Sequence, residues 1–89
     1  MITAFTQHLI DRYGIDEVSQ WDFEVWNEPN IDFWVGKPAQ ATYFELYDHT
    51  ALAVKKASSR IRIGGPSTAQ AAWVAAFLDH CKQNHIPVD

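Results

Sequence analysis

The chain has 89 residues and a formal net charge of −4, so it makes one small unit at most and argues against a nucleic-acid partner, which would call for a basic stripe. With 47% hydrophobic and 13% aromatic residues it stands outside the disordered class, yet no run of about eighteen apolar residues supplies a membrane span. So much apolar surface in so short a chain needs something to bury it against, which suits a piece of a larger domain better than a self-contained one.

Met1-Ile2-Thr3-Ala4-Phe5 has neither a basic n-region nor a cleavage site, so no signal peptide is expected; cytoplasmic and secreted locations both stay open. Residues 2–13 read as a helix, with Ile2, Phe5, Leu9 and Tyr13 recurring at spacings of three and four. Gly14 follows as a C-cap that tolerates positive φ. Asp16 to Gln20 is a polar connection with room for a single helical turn.

Trp21-Asp22-Phe23-Glu24-Val25-Trp26 is rich in aromatic and β-branched residues and reads as a strand. Asn27-Glu28-Pro29-Asn30 ends it, because Pro29 cannot continue a central strand and asparagine tolerates turns. Alternation puts Asp22, Glu24, Trp26 and Glu28 on one side, with Phe23 and Val25 on the other. The second side suits covering helices, while the first is acidic and aromatic, as a sugar-binding cavity would be. Glu28 would stand at the strand mouth, where shielding by Trp26 would favour its protonated form and let it act as a proton donor. Asn27 offers an amide donor and an acceptor to a sugar hydroxyl. A strand ending in a polar turn, with Glu28 merely solvated, accounts for the same residue types.

Residues 27–38 form a long loop carrying Phe33 and Trp34, which either stack on a sugar ring or plug the loop onto the structure beneath. Residues 39–58 read as the longest helix, with Pro38 at its start. Phe44, Tyr47, Ala51 and Val54 face inward, Glu45, Asp48, His49, Lys55 and Lys56 outward. Ile61–Gly64 reads as a second strand, and the two glycines of Gly64-Gly65-Pro66 allow a ligand or a neighbouring strand to come close. Ser67 or Thr68 is expected to cap a helix over 70–84, with Trp73, Val74, Phe77, Leu78 and Cys81 inside and Asp79, His80, Lys82 and Gln83 outside. Cys81 is the single cysteine, so no internal disulfide forms and the redox compartment is left open. Ile86-Pro87-Val88-Asp89 resembles the lead-in to a third strand. His8, His80 and His85 lack metal-ligand spacing, and neither a metal nor a cofactor is expected. The order is α-β-α-β-α-(β), an α/β arrangement whose strand–helix–strand units predict parallel strands.

Trp21-x-Phe23-Glu24-x-Trp26-Asn27-Glu28-Pro29-Asn30 resembles the signature of glycoside hydrolase family 39, which holds β-xylosidases and α-L-iduronidases. The similarity runs on through Phe33-Trp34, Tyr43-Phe44-Glu45-Leu46-Tyr47 and Gly64-Gly65-Pro66. The resemblance implies a (β/α)8 TIM barrel, of which residues 1–89 would be a part, from the third helix to the start of the sixth strand. A whole barrel takes about 250 residues. It further implies a retaining mechanism, with Glu28 as acid/base, Asn27 near the sugar 2-hydroxyl, and a nucleophile outside this chain. Trp26, Phe33 and Trp34 would line the pocket, a xyloside-type carbohydrate would be the substrate, and the remainder of the barrel would be the partner. Glu24, deeper on the same strand, would be a buried charge in need of a partner, for which Arg62 is the candidate. The competing reading is a non-catalytic sugar-binding or structural α/β module.

Overall fold

Helix α1 spans Ile2–Tyr13, the single turn α2 Ile15–Val18, strand β1 Asp22–Glu24, helix α3 Ala39–Ala57, strand β2 Arg62–Gly64 and helix α4 Val74–Asn84, with a 3-10 turn at Ala69–Ala71. The computed structural model describes residues 1–30 and 36–89; Phe33 and Trp34, the expected pocket aromatics, lie outside these. The strands pair in parallel, with Asp22 opposite Arg62, Phe23 opposite Ile63 and Glu24 opposite Gly64. A parallel pair needs a crossover, and α3 provides it.

Helix α1 has the bounds its periodicity predicts, and Gly14 closes it at φ 85°, its N–H donating to the Ile10 carbonyl at 2.7 Å. Its buried face is nevertheless turned from the expected one. Phe5 and Tyr13 are exposed, while Ile2, Leu9 and Ile10 pack on the core and Thr6 is buried. The reason is a close approach to α3 through small residues, where the Thr3 hydroxyl donates to the Ala53 carbonyl at 2.8 Å. Hydrophobicity alone favours Phe5; the helix contact favours residues short enough to let the two backbones meet.

The core lies on one side of the sheet. Tyr43, Tyr47, Ala51 and Val54 of α3 pack with Val25, Ile61, Ile63, Phe77, Cys81 and Val18. Phe77 stands edge-on to Tyr47, ring centroids 4.6 Å apart, a favoured aromatic geometry. The opposite side carries Asp22, Glu24 and Arg62, all exposed. Arg62 is not the partner of Glu24: its Nε pairs with Asp22 Oδ1 at 2.9 Å, the residue directly across the ladder.

The helix expected over 70–84 is broken, because backbone groups at its start are claimed by side chains. The Thr68 hydroxyl donates to the Ala72 carbonyl, a group that a continuous helix would turn toward residue 76. Neither Ser67 nor Thr68 caps α4. Trp73 takes a left-handed conformation, φ 69° and ψ 0°, and sets its ring 6.3 Å from that of Tyr43. The inward stripe of α4 is then Phe77 and Cys81, flanked by half-buried His80, while Val74 and Leu78 are exposed. His80 is drawn in by Asp48 of α3, whose carboxylate oxygens lie 2.8 and 2.9 Å from Nε2. His49 stays on the outer face, as expected.

After α4, residues 86–89 form no regular strand, but they have begun to pair with β2. The Asp89 N–H donates to the Ile63 carbonyl at 2.8 Å, and Asp89 Oδ2 accepts the Ile63 N–H at 3.1 Å. Lys55 adds a bond to the same carboxylate at 2.8 Å, so the last turn of α3, this segment and β2 are tied at one point.

Candidate functional site

Strand β1 ends at Glu24, and the chain then leaves the pleat. Trp26 has φ 64° and Glu28 φ 48°, left-handed values that are uncommon for bulky side chains and cluster where neighbours over-determine them. The alternation that placed Trp26 and Glu28 on the side of Asp22 and Glu24 therefore does not extend beyond Val25, since it requires extended backbone.

What holds the 25–30 segment is a series of attachments to β2, to the turn after it and to helix α3. The Val25 N–H donates to the Gly64 carbonyl at 3.1 Å, continuing the ladder by one rung. The Val25 carbonyl accepts the Tyr43 hydroxyl at 2.7 Å. The Glu28 N–H donates to the Ser67 carbonyl at 3.0 Å. Pro29 is fully buried, and the Asn30 amide bonds both backbone groups of Ala69. Two strand-end turns are in this way joined into one ledge, with Glu28 on it half-buried.

Tyr43 is buried beneath that ledge, and burial, aided by the Glu24 charge, raises its phenol well above its ordinary value. Kept protonated, the hydroxyl serves as a hydrogen-bond donor to the Val25 carbonyl. Its oxygen also explains Gly65. A Cβ on Gly65 would collide with the Tyr43 hydroxyl and touch the Tyr47 ring at 3.4 Å. At Gly65 the glycine pair does permit a close approach, and the neighbour it admits is helix α3. Gly64 has open space around its position.

Beside the ledge, an open cleft of about 520 Å³ runs along the polar side of the sheet, lined by Asp22, Glu24, Arg62, Gly64, Ser67 and Asp89 among others. Trp26, Asn27 and Glu28 do not line it; they follow β1 at its C-terminal end. Ser67 links the two regions, facing the cleft and accepting the Glu28 N–H. Asn27 is exposed and Trp26 is 48% exposed. Among the described residues no cluster of three or more histidine, cysteine, aspartate or glutamate side chains could hold a metal ion, and no helix is long and apolar enough to cross a membrane. Sequence reasoning missed Ser67, Ala69 and Tyr43 as parts of this arrangement. Backbone acceptors carry no residue-type signal, and a tyrosine in an apolar stripe reads as core.

The model of glycosyl hydrolases family 39 matches residues 1–89, the whole chain. The chain belongs to this family. Relatives in family 39 include a β-xylosidase of Caldicellulosiruptor saccharolyticus, 47% identical over 91 residues that cover all of this chain and 18% of the relative. An α-L-iduronidase of Canis lupus familiaris is 31% identical over 91% of this chain and 13% of its own length. Among solved structures, a family 39 β-xylosidase from Caulobacter crescentus superposes with a TM-score of 0.93 at 56% identity, covering 99% of this chain and 20% of that one. The chain spans between about an eighth and a fifth of the length of these relatives.

Proposed function

We propose that residues 1–89 are the central part of a (β/α)8 barrel, from its third helix to the start of its sixth strand, in a retaining β-xylosidase-like glycoside hydrolase. One observation carries the reading most of the way. The ten-residue stretch Trp21–Asn30 carries a half-buried glutamate, Glu28, in the turn that follows the C-terminal end of a parallel strand, where barrels keep their chemistry. The relatives called β-xylosidases, at 45% and 47% identity, favour a xyloside over the iduronides of those at about 30%.

In this reading Glu28 donates its proton to the glycosidic oxygen as the leaving group departs. It then takes a proton from the water that hydrolyses the glycosyl-enzyme. The nucleophile is a second carboxylate about 5–5.5 Å away, supplied by the rest of the barrel. Asn27 bonds the sugar near its 2-hydroxyl, and Trp26, Phe33 and Trp34 line the pocket.

The test is kinetic, in the full-length chain. Glu28→Ala should lower the rate on a poor leaving group by about 10²–10⁴-fold and far less on an activated one. Added azide should restore breakdown of the glycosyl-enzyme, because it needs no base to activate it. Glu24→Ala should show no azide rescue. Rescue of Glu24→Ala and not of Glu28→Ala would reverse the assignment, and wild-type turnover in Glu28→Ala would favour a non-catalytic role for this segment.

A further inference from the structure

We propose that Asn30 is a positioning residue for Glu28, an inference that rests on the acid/base reading above. The Ala69 N–H donates to Asn30 Oδ1 at 2.8 Å, and Asn30 Nδ2 donates to the Ala69 carbonyl at 3.2 Å. This reciprocal pair sets which way the amide faces, because the backbone donor requires the oxygen and the backbone acceptor requires the nitrogen. Two residues earlier, the Glu28 N–H bonds the Ser67 carbonyl at 3.0 Å. The spacing is the same on both sides, Glu28 and Asn30 against Ser67 and Ala69, so the two turns are joined by two rungs. Between the rungs lies Pro29, fully buried and with its φ set by its ring.

Glu28 needs such support. Its φ of 48°, like the 49° of Ser67 across the rung, is unfavourable for a residue with a Cβ and persists only where the surroundings impose it. The Ser67 rung restrains Glu28 at its own N–H. The Asn30 pair restrains the segment that leaves it. With the second rung removed, the segment is free to relax toward an ordinary φ, and such a rotation swings the carboxyl away from its working place. Misplacement of a catalytic group by about 1 Å can cost on the order of 10²-fold.

The experiment uses the full-length enzyme, with aryl β-xylosides bearing one poor and one activated leaving group. Asn30→Ala should lower kcat on the poor leaving group by about ten- to a hundred-fold, with much less loss on the activated one and little change in KM. Asn30→Asp keeps an acceptor for the Ala69 N–H but sets an oxygen against its carbonyl, and should fall between wild type and alanine. A purely structural role would lower the melting temperature and depress both substrates alike; that outcome, or unchanged kinetics, overturns the inference. If Asn30→Ala does not fold, Asn30→Asp is read alone, where selective loss on the poor leaving group supports the role and uniform or absent loss refutes it. Glu28→Ala is measured in parallel. If it shows leaving-group dependence and the Asn30 variants do not, only the Asn30 inference fails; if it shows none, the acid/base reading fails and the inference with it.

Discussion

Gly65→Ala should destabilise the protein through one oxygen atom. Gly65 does not have a positive φ, so the glycine is required for space rather than for backbone conformation. The new methyl group would overlap the Tyr43 hydroxyl oxygen, and Tyr43 is fully buried with its ring among Phe44, Tyr47, Trp73 and Phe77. Relief requires the ring to shift and release its 2.7 Å bond to the Val25 carbonyl. Losing that bond at the buried Val25 carbonyl costs about 1–3 kcal/mol, and overpacking costs about 1–3 kcal/mol more. The reduced freedom of alanine in the unfolded chain offsets about 0.4–1 kcal/mol. The net loss is about 1–5.5 kcal/mol, or roughly 2–20 °C in Tm for a large domain. Differential scanning calorimetry on the full-length protein measures it, and Tyr43→Phe provides the control. Without the hydroxyl the overlap is gone, so Gly65→Ala should cost much less in the Tyr43→Phe background, a coupling that a double-mutant cycle reads directly. Because burial holds the Tyr43 phenol protonated, the cost should also be the same from mildly acidic to mildly alkaline pH. Additive losses in the cycle would refute the argument from the hydroxyl.

Three further outcomes are expected. The Lys55 hydrogen bond holds the Asp89 carboxyl below its ordinary value of 3.8, so its contribution to stability is whole above about that pH and is lost as pH falls through the lower folded value. Solvent screening keeps the effect small; urea midpoints of wild type and Asp89→Asn should converge in strong acid, and a gap that widens there would contradict the linkage. Asp48→Ala and His80→Ala should be coupled by about 1 kcal/mol in a double-mutant cycle of stability, since each removes the same clasp between α3 and α4, and additivity would show the clasp to be idle. The 89-residue chain by itself should not hydrolyse aryl β-xylosides, because a retaining mechanism takes two carboxylates, and it should self-associate through unpaired strand edges. Turnover that vanishes in Glu28→Ala, or a sharp monomer in sedimentation that melts cooperatively, would contradict this.

The sequence by itself determined the order of elements, the parallel pairing that strand–helix–strand implies, and the family. Periodicity located α1 and α3 to within a residue, since those helices are amphipathic over many turns and averaging over turns is what periodicity does well. Proline and asparagine stop a strand for local reasons, so the motif set a turn around Glu28, though β1 itself stops earlier, at Glu24. Four things waited for the tertiary structure. The face that α1 buries was decided by how closely Thr3 and Ala53 let two helices meet, and the break before α4 by a threonine hydroxyl that claims a backbone carbonyl. Arg62 was paired by ladder register, which set Asp22 opposite it instead of Glu24. The ledge under Glu28 depends on Asn30 and Ala69, 39 residues apart. Such contacts are between groups distant in sequence and largely with backbone atoms, which every residue possesses alike, so no residue type announces them until the chain has folded.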